Sequence, residues 1–266
     1  MAKITEQQRN EYRKEINSYQ DKIKTISKRI QDINQLLAKN DPQTPRLRIE
    51  KVNITLQQIS YYTAMNEISI NRLEVKNTGF LENARKALYN VIITLEKQIS
   101  AKIDASYTEY EDGVNNINFL KDVEKLKIII KLGYSIHLVT ESFGDISKWK
   151  WSFVELSGRF ATCAKNIINL KDFLAKMDPR IEGYNERMRL KKIAIQHLNE
   201  SSHSYREKFE ISTQRADDLN KALHFQKALF RLHTLFHEDE IAQTCKKQIE
   251  VWKGLMERYE KEKKLL

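Results

Sequence analysis

Apolar side chains recur at alternating steps of three and four from Ile16 to Leu37, through Tyr19, Ile23, Ile26, Ile30 and Ile33. A helix gathers such a set into one stripe, and stiff, branched isoleucines in that stripe seat as knobs in the holes of a neighbouring helix. The stripe stops at Asn40-Asp41-Pro42-Gln43-Thr44-Pro45. Two prolines there forbid a continuous helix, and Thr44-Pro45 reads as a cap followed by a first-turn proline. The spacing resumes at Ile49, Val52, Leu56, Ile59, Thr63, Asn66, Ile70 and Leu73. Two stripes of nearly equal length joined by a short turn predict an antiparallel coiled-coil hairpin over residues 1–76, with the polar pair Thr63 and Asn66 setting its register.

Residues 77–266 read as a helical bundle. Leu81, Ala84, Leu88, Val91, Leu95 and Ile99 predict a third helix running on to Glu111-Asp112-Gly113, and a fourth from about Asn115 to Ser142 is apolar on most sides, with His137 on its inner face. A fifth stripe runs Ile146, Trp149, Phe153, Leu156, Phe160, Cys163, Ile167, Leu170, Leu174 and Met177; Asp178-Pro179 then reads as the cap and first turn of the next helix. One long stripe follows from Ile181 to Phe230, with a bend expected near Ser201-Ser202-His203-Ser204, and a last helix from about Glu238 carries Ile241, Cys245, Ile249, Trp252, Leu255 and Tyr259. With only 7 glycines and 3 prolines to interrupt 266 residues, the expectation is all-α: an elongated antiparallel helical bundle of long helices, about seven on this periodicity, with an N-terminal coiled-coil hairpin.

The chemistry-bearing motifs are sparse. Neither G-x-x-x-x-G-K-S/T nor G-x-G-x-x-G occurs, so no glycine loop cradles a phosphate, and no H-E-x-x-H or C-x-x-C marks a common zinc site. His233 and His237 stand one helical turn apart with Glu240 a turn further on and Cys245 beyond, the spacing of a divalent-metal chelate; a polar helix end before a turn is the preferred explanation. The reading is therefore of a non-enzyme that needs no cofactor and no metal, a metal-dependent enzyme built on His233 and His237 being the remote alternative. No apolar run approaches the roughly 18 residues needed to cross a membrane. The first residues lack the apolar core of a secretion signal, and 2 cysteines are too few for a disulfide framework, so a cytoplasmic setting is expected.

The formal net charge is +10, divided as +5 over residues 1–76, −2 over 77–113 and +7 over 114–266. A charge so dispersed mostly solvates helix faces. Two clusters rise above it: Arg46, Arg48 and Lys51 at the hairpin tip, and Arg187, Arg189, Lys191 and Lys192 further on. The segment S-K-W-K-W is the other candidate surface. On the fifth stripe Trp149 faces inward, whereas Trp151 faces away, with Val154, Gly158, Ala161 and Ile168 along its side. That second stripe is covered either by another helix of the chain or by a partner. The expected function is a scaffold or adaptor that binds a protein partner or itself, with Trp151, Lys148, Lys150, Arg46, Arg48 and Lys51 as candidate contacts. The alternative is a peripheral binder of an anionic membrane or nucleic acid, through the same basic residues.

Overall fold

A computed structural model describes residues 5–39, 42–144 and 148–264. Among them are ten α-helices and no strand, so the fold is an all-α helical bundle. The chain divides into two compact units. One comprises residues 1–98 and 127–150, the other 99–126 and 151–266.

The first unit begins with the predicted hairpin, α1 (Glu6–Leu37) and α2 (Thr44–Leu73). A capping box between Thr5 and Gln8 starts α1. The antiparallel alignment is fixed by its pairs: Tyr12 shares a hydrogen bond with Ser69, the rings of Tyr19 and Tyr61 meet edge-on at 5.6 Å, and Arg29 reaches Glu50 at 2.7 Å. Every residue of the α1 stripe is buried or half-buried, Ile16 and Ile33 fully. The second helix is buried on two sides. Ile49, Val52, Leu56 and Ile59 form its stripe, while Leu47, Thr55, Met65 and Ser69 are buried elsewhere on the helix, which one partner helix cannot achieve. Pro45 lies in the first turn as expected, but the cap residue is Gln43 and Thr44 makes no cap bond. Residues 40 and 41 of the predicted break lie outside the described residues.

Asn66 is fully buried, and its Oδ1 accepts the backbone N–H of Asn77 at 2.9 Å. Asn77 in turn accepts from the N–H of Phe80 at 3.2 Å, capping α3 (Thr78–Ile99). The polar interruption of the second stripe thus holds the turn into the third helix. All six predicted stripe residues of α3 are at most 1% exposed. This helix stops at Ile99 and not at residue 113, because Ser100 turns left-handed with φ 82°.

Irregular chain then leads to α4 (Glu111–Asn115) and α5 (Asp122–Phe143), whose length contains the boundary between the units. His137 is exposed beside Glu141 at 3.3 Å, not on an inner face. The stripe expected to run unbroken to Met177 is two helices, α6 (Lys150–Asn166) and α7 (Leu170–Ala175), and its first member, Ile146, lies outside the described residues. Asn169 caps α7 by accepting from the N–H of Asp172 at 3.1 Å. Asp178 and Pro179 lie in a turn before α8 (Tyr184–Lys208), which starts after the left-handed Gly183.

The long stripe also proves to be two helices. A single π-turn, Phe209–Thr213, ends the first, Gln214 reverses the chain at φ 45°, and α9 (Ala216–Leu235) returns antiparallel, with Tyr205 stacked on Phe225 and Lys208 paired with Asp218 at 2.9 Å. No bend occurs at the serines. Ser201 and Ser202 are buried, and Ser202 Oγ accepts from Gln226 of α9 at 2.8 Å; their small size permits close approach. Finally α10 (Asp239–Lys264) lies against α9 through Ala242, Cys245, Ile249, Trp252 and Met256.

Gln214 occupies a backbone region that favours glycine. Gln214→Gly is expected to stabilise the fold by about 0.5–1 kcal/mol, the left-handed penalty less glycine's added chain entropy, and Gln214→Val to destabilise it. Urea unfolding of the two variants checks the sign.

Candidate interaction groove beside α8

The predicted contact residues are dispersed, and several are already engaged. Arg48 donates to the Lys97 carbonyl at 3.0 Å and to Gln98 at 3.1 Å, and Lys51 donates to Asn34 at 2.8 Å. Burial, and then the charge of Lys97, push the Lys51 ammonium below its ordinary pKa. Arg46 remains on the exposed side of the first turn of α2. Lys148 and Lys150 are exposed, and Trp149 is half-buried with the Arg85 guanidinium 3.7 Å over its ring.

Trp151 is half-buried, and the stripe on its side of α6 is covered from within the second unit. At Gly158 a Cβ atom would stand 2.7 Å from Tyr205 Cε2 and 3.1 Å from Phe225 Cζ, so α8 and α9 approach where only glycine leaves room. Ala161 and Ile168 are buried as well.

The second basic cluster separates into different roles. Arg187 is buried, bound to Asp122 at 2.7 Å and to the carbonyls of Lys176 and Glu182 at 2.8 and 2.9 Å. Its charge is not available to a phosphate. Lys191 lies with its ammonium 2.6 Å from Glu238 and 4.0 Å from the centroid of Phe236. Arg189 and Lys192 are exposed and form no ion pair among the described residues.

These last two flank a groove of about 850 Å³ in the second unit. Asn185, Met188, Lys192 and Ile195 recur along one face of α8, and Ile241 of α10 faces them across the groove, half exposed at 50%. A part-buried polar network of Lys191, His233 and Glu238 also lines the groove. His233 Nδ1 is 2.5 Å from Glu238, which also holds Lys191, so one carboxylate joins α8, the end of α9 and the start of α10. Burial opposes the charge on Glu238, but the hydrogen bonds from Lys191 and His233 outweigh it and hold the carboxyl below its usual pKa. The turn is closed by the N–H of Glu238 donating to the His233 carbonyl at 2.9 Å, with His237 left-handed at φ 57° between them.

The histidine pair therefore serves a helix end. Among the described residues no group of three His, Cys, Asp or Glu side chains is placed to hold a metal ion. The sequence displays the basic residues of this groove but neither its apolar floor nor the role of Glu238, since Ile241 reads as a core position. Its exposure arises because the buried stripe of α10 begins one residue later, at Ala242.

No helix among the described residues is long and apolar enough to cross a membrane. No curated protein gives a significant match to the chain, and neither does any solved structure. A model of the TP0443 family matches residues 8–260, a span that includes both compact units and the whole of the groove. The chain belongs to the TP0443 family.

Proposed function

We propose that this protein is a non-enzymatic helical adaptor that holds an acidic, apolar-anchored segment of a partner protein in the groove beside α8. The observation that carries the reading is the pairing of an apolar floor, the half-buried Met188 and Ile195 of α8 with the exposed Ile241 of α10, with the exposed cations Arg189 and Lys192 of α8, which form no ion pair among the described residues. Apolar anchors supply affinity in such grooves, and rim charges select the sign of the partner and speed its approach. The part-buried Glu238 network lines the same groove and leaves Arg189 and Lys192 exposed. A cytoplasmic setting belongs to the same proposal and is supported by two buried, free cysteines, Cys163 and Cys245.

The test uses a designed amphipathic peptide with a leucine stripe flanked by glutamates, and a lysine-flanked counterpart as control. Fluorescence anisotropy is expected to show binding of the first only. The double reversal Arg189→Glu with Lys192→Glu is expected to weaken it roughly tenfold, taking about 0.7 kcal/mol for each exposed charge. Equal binding of both peptides, or binding unchanged by the reversal, sinks the proposal. Tight binding of anionic vesicles or single-stranded DNA that is lost on reversing Arg46, Lys148 and Lys150 would move the function to the polyanion class.

A further inference from the structure

A second cavity, of about 330 Å³, lies within the second unit and shares no lining residue with the groove. Its walls come from the chain before α4, from α6, from the start of α7 and from α9. Lys165 of α6 is among its lining residues and is only 3% exposed. An ammonium has three N–H donors. Lys165 makes one hydrogen bond, to the Ala105 carbonyl at 3.4 Å, and its Nζ otherwise lies 5.0 Å from the centroid of Tyr110. It has donors to spare in a place where water is scarce.

The surrounding charges are paired with one another. Asp104 takes Arg231 at 2.6 Å, Glu109 takes Lys102 at 2.8 Å and Glu111 takes Lys171 at 2.5 Å. Tyr107 donates to Asn169 at 2.7 Å, and burial, followed by the charges of Glu111 and Asp172, raises its phenol to about 12, so this wall stays neutral. Lys165 is left as one surplus positive charge. Burial lowers its pKa to about 8, partly offset by Asp104 and Glu109 and reinforced by Arg231. An isolated buried charge is costly, and an anion placed against it recovers that cost.

The loop that presents Ala105 is held in advance. Asn166, the neighbour of Lys165, donates through Nδ2 to the carbonyls of Ser100 and Lys102 at 3.0 and 3.2 Å. Arg231, whose side chain is 55% exposed, also lines the cavity, while Leu170, Leu232 and Leu235 supply apolar wall. We propose that this cavity binds a small organic monocarboxylate, with its carboxylate on the Lys165 ammonium and its apolar body against Tyr110, Leu170, Leu232 and Leu235. A single negative charge balances the single surplus cation, whereas a phosphate dianion would leave the site negative. The volume is at the low end for ligand sites and limits the body to a small ring or short chain.

The probes are benzoate and hexanoate, with benzamide as the neutral control, titrated calorimetrically into the full chain at about pH 8.5 in two buffers of different ionisation heat. Near this pH much of Lys165 is neutral in the free protein; an anion beside it favours the charged form, so binding takes up a proton. The expected result is carboxylate binding with proton uptake, no benzamide binding, and at least a tenfold loss in Lys165→Met. That change removes an unpaired buried charge and is expected to fold, as circular dichroism will report. Leu235→Trp, which narrows the cavity and leaves the lysine in place, is expected to lose binding too. Failure of both carboxylates to bind, equal binding of benzamide, binding without proton uptake, or affinity retained in both variants overturns the assignment.

Discussion

Arg187→Met is expected to lower folding stability by about 3 kcal/mol, the lower end of the range for breaking a buried ion pair, because Asp122 keeps some contact with water. The side chain of Arg187 is 5% exposed and that of Asp122 29%. Methionine fills much of the same volume but leaves the Asp122 carboxylate without its cation and the Lys176 and Glu182 carbonyls without donors. Gly183 closes the same knot. It is left-handed, and a Cβ there would stand 2.6 Å from Asp122 Oδ2 and 2.9 Å from Arg187 Nη1. Arg187→Lys recovers the charge but not the forked geometry, so its loss should fall between wild type and methionine. Urea unfolding of the three proteins gives the order; a methionine variant as stable as wild type would mean that Arg187 does not hold the turn before α8.

Trp252→Ala is expected to cost about 3–5 kcal/mol, the usual range for deleting a buried aromatic side chain. Trp252 is 1% exposed, with the His203 ring edge-on at 5.9 Å and the Arg206 guanidinium 5.4 Å from its centroid, so it joins α8 to α10. Its indole Nε1 is buried with no hydrogen-bond partner among the described residues. Phenylalanine removes that unsatisfied donor while keeping an aromatic ring, so Trp252→Phe should cost much less, about 1 kcal/mol, the lost volume set against the lost desolvation penalty. Thermal unfolding separates the two; equal losses would show that volume alone decides.

Where the sequence was legible, one physical signal dominated. The stripes of α1 and α3 are legible residue by residue because every stripe position is buried or half-buried, although α3 also buries Ala87, Ile92, Thr94 and Gln98 outside its stripe. The breaks at Ser100 and Gln214 are not readable, since neither carries the glycine or proline that marks a helix end in sequence. Here the left-handed reversals at Glu74, Ser100, Gln214 and His237 are made by other residues, a local cost that surrounding contacts must offset. The end of α6 was hidden differently: Ile167 and Leu170 continue the apolar spacing across the gap, although Asn169 followed by Asp172 was a readable cap. Charges were the least legible. Spacing places Arg187 beside Arg189 but cannot say that one is buried against Asp122 and the other exposed. Lys165 follows Ala161-Thr162-Cys163-Ala164, a run of small residues on every side of the helix, which signals close neighbours all round and hence a buried lysine.

Hydrogen–deuterium exchange of the full chain, with and without a saturating concentration of the glutamate-flanked peptide, probes the adaptor role most directly. Added protection confined to residues 185–196 and the region of 238–241, and absent with the lysine-flanked peptide, is the predicted result. Protection appearing instead at 42–51 or 148–151, or no change anywhere, would contradict a partner-binding groove beside α8.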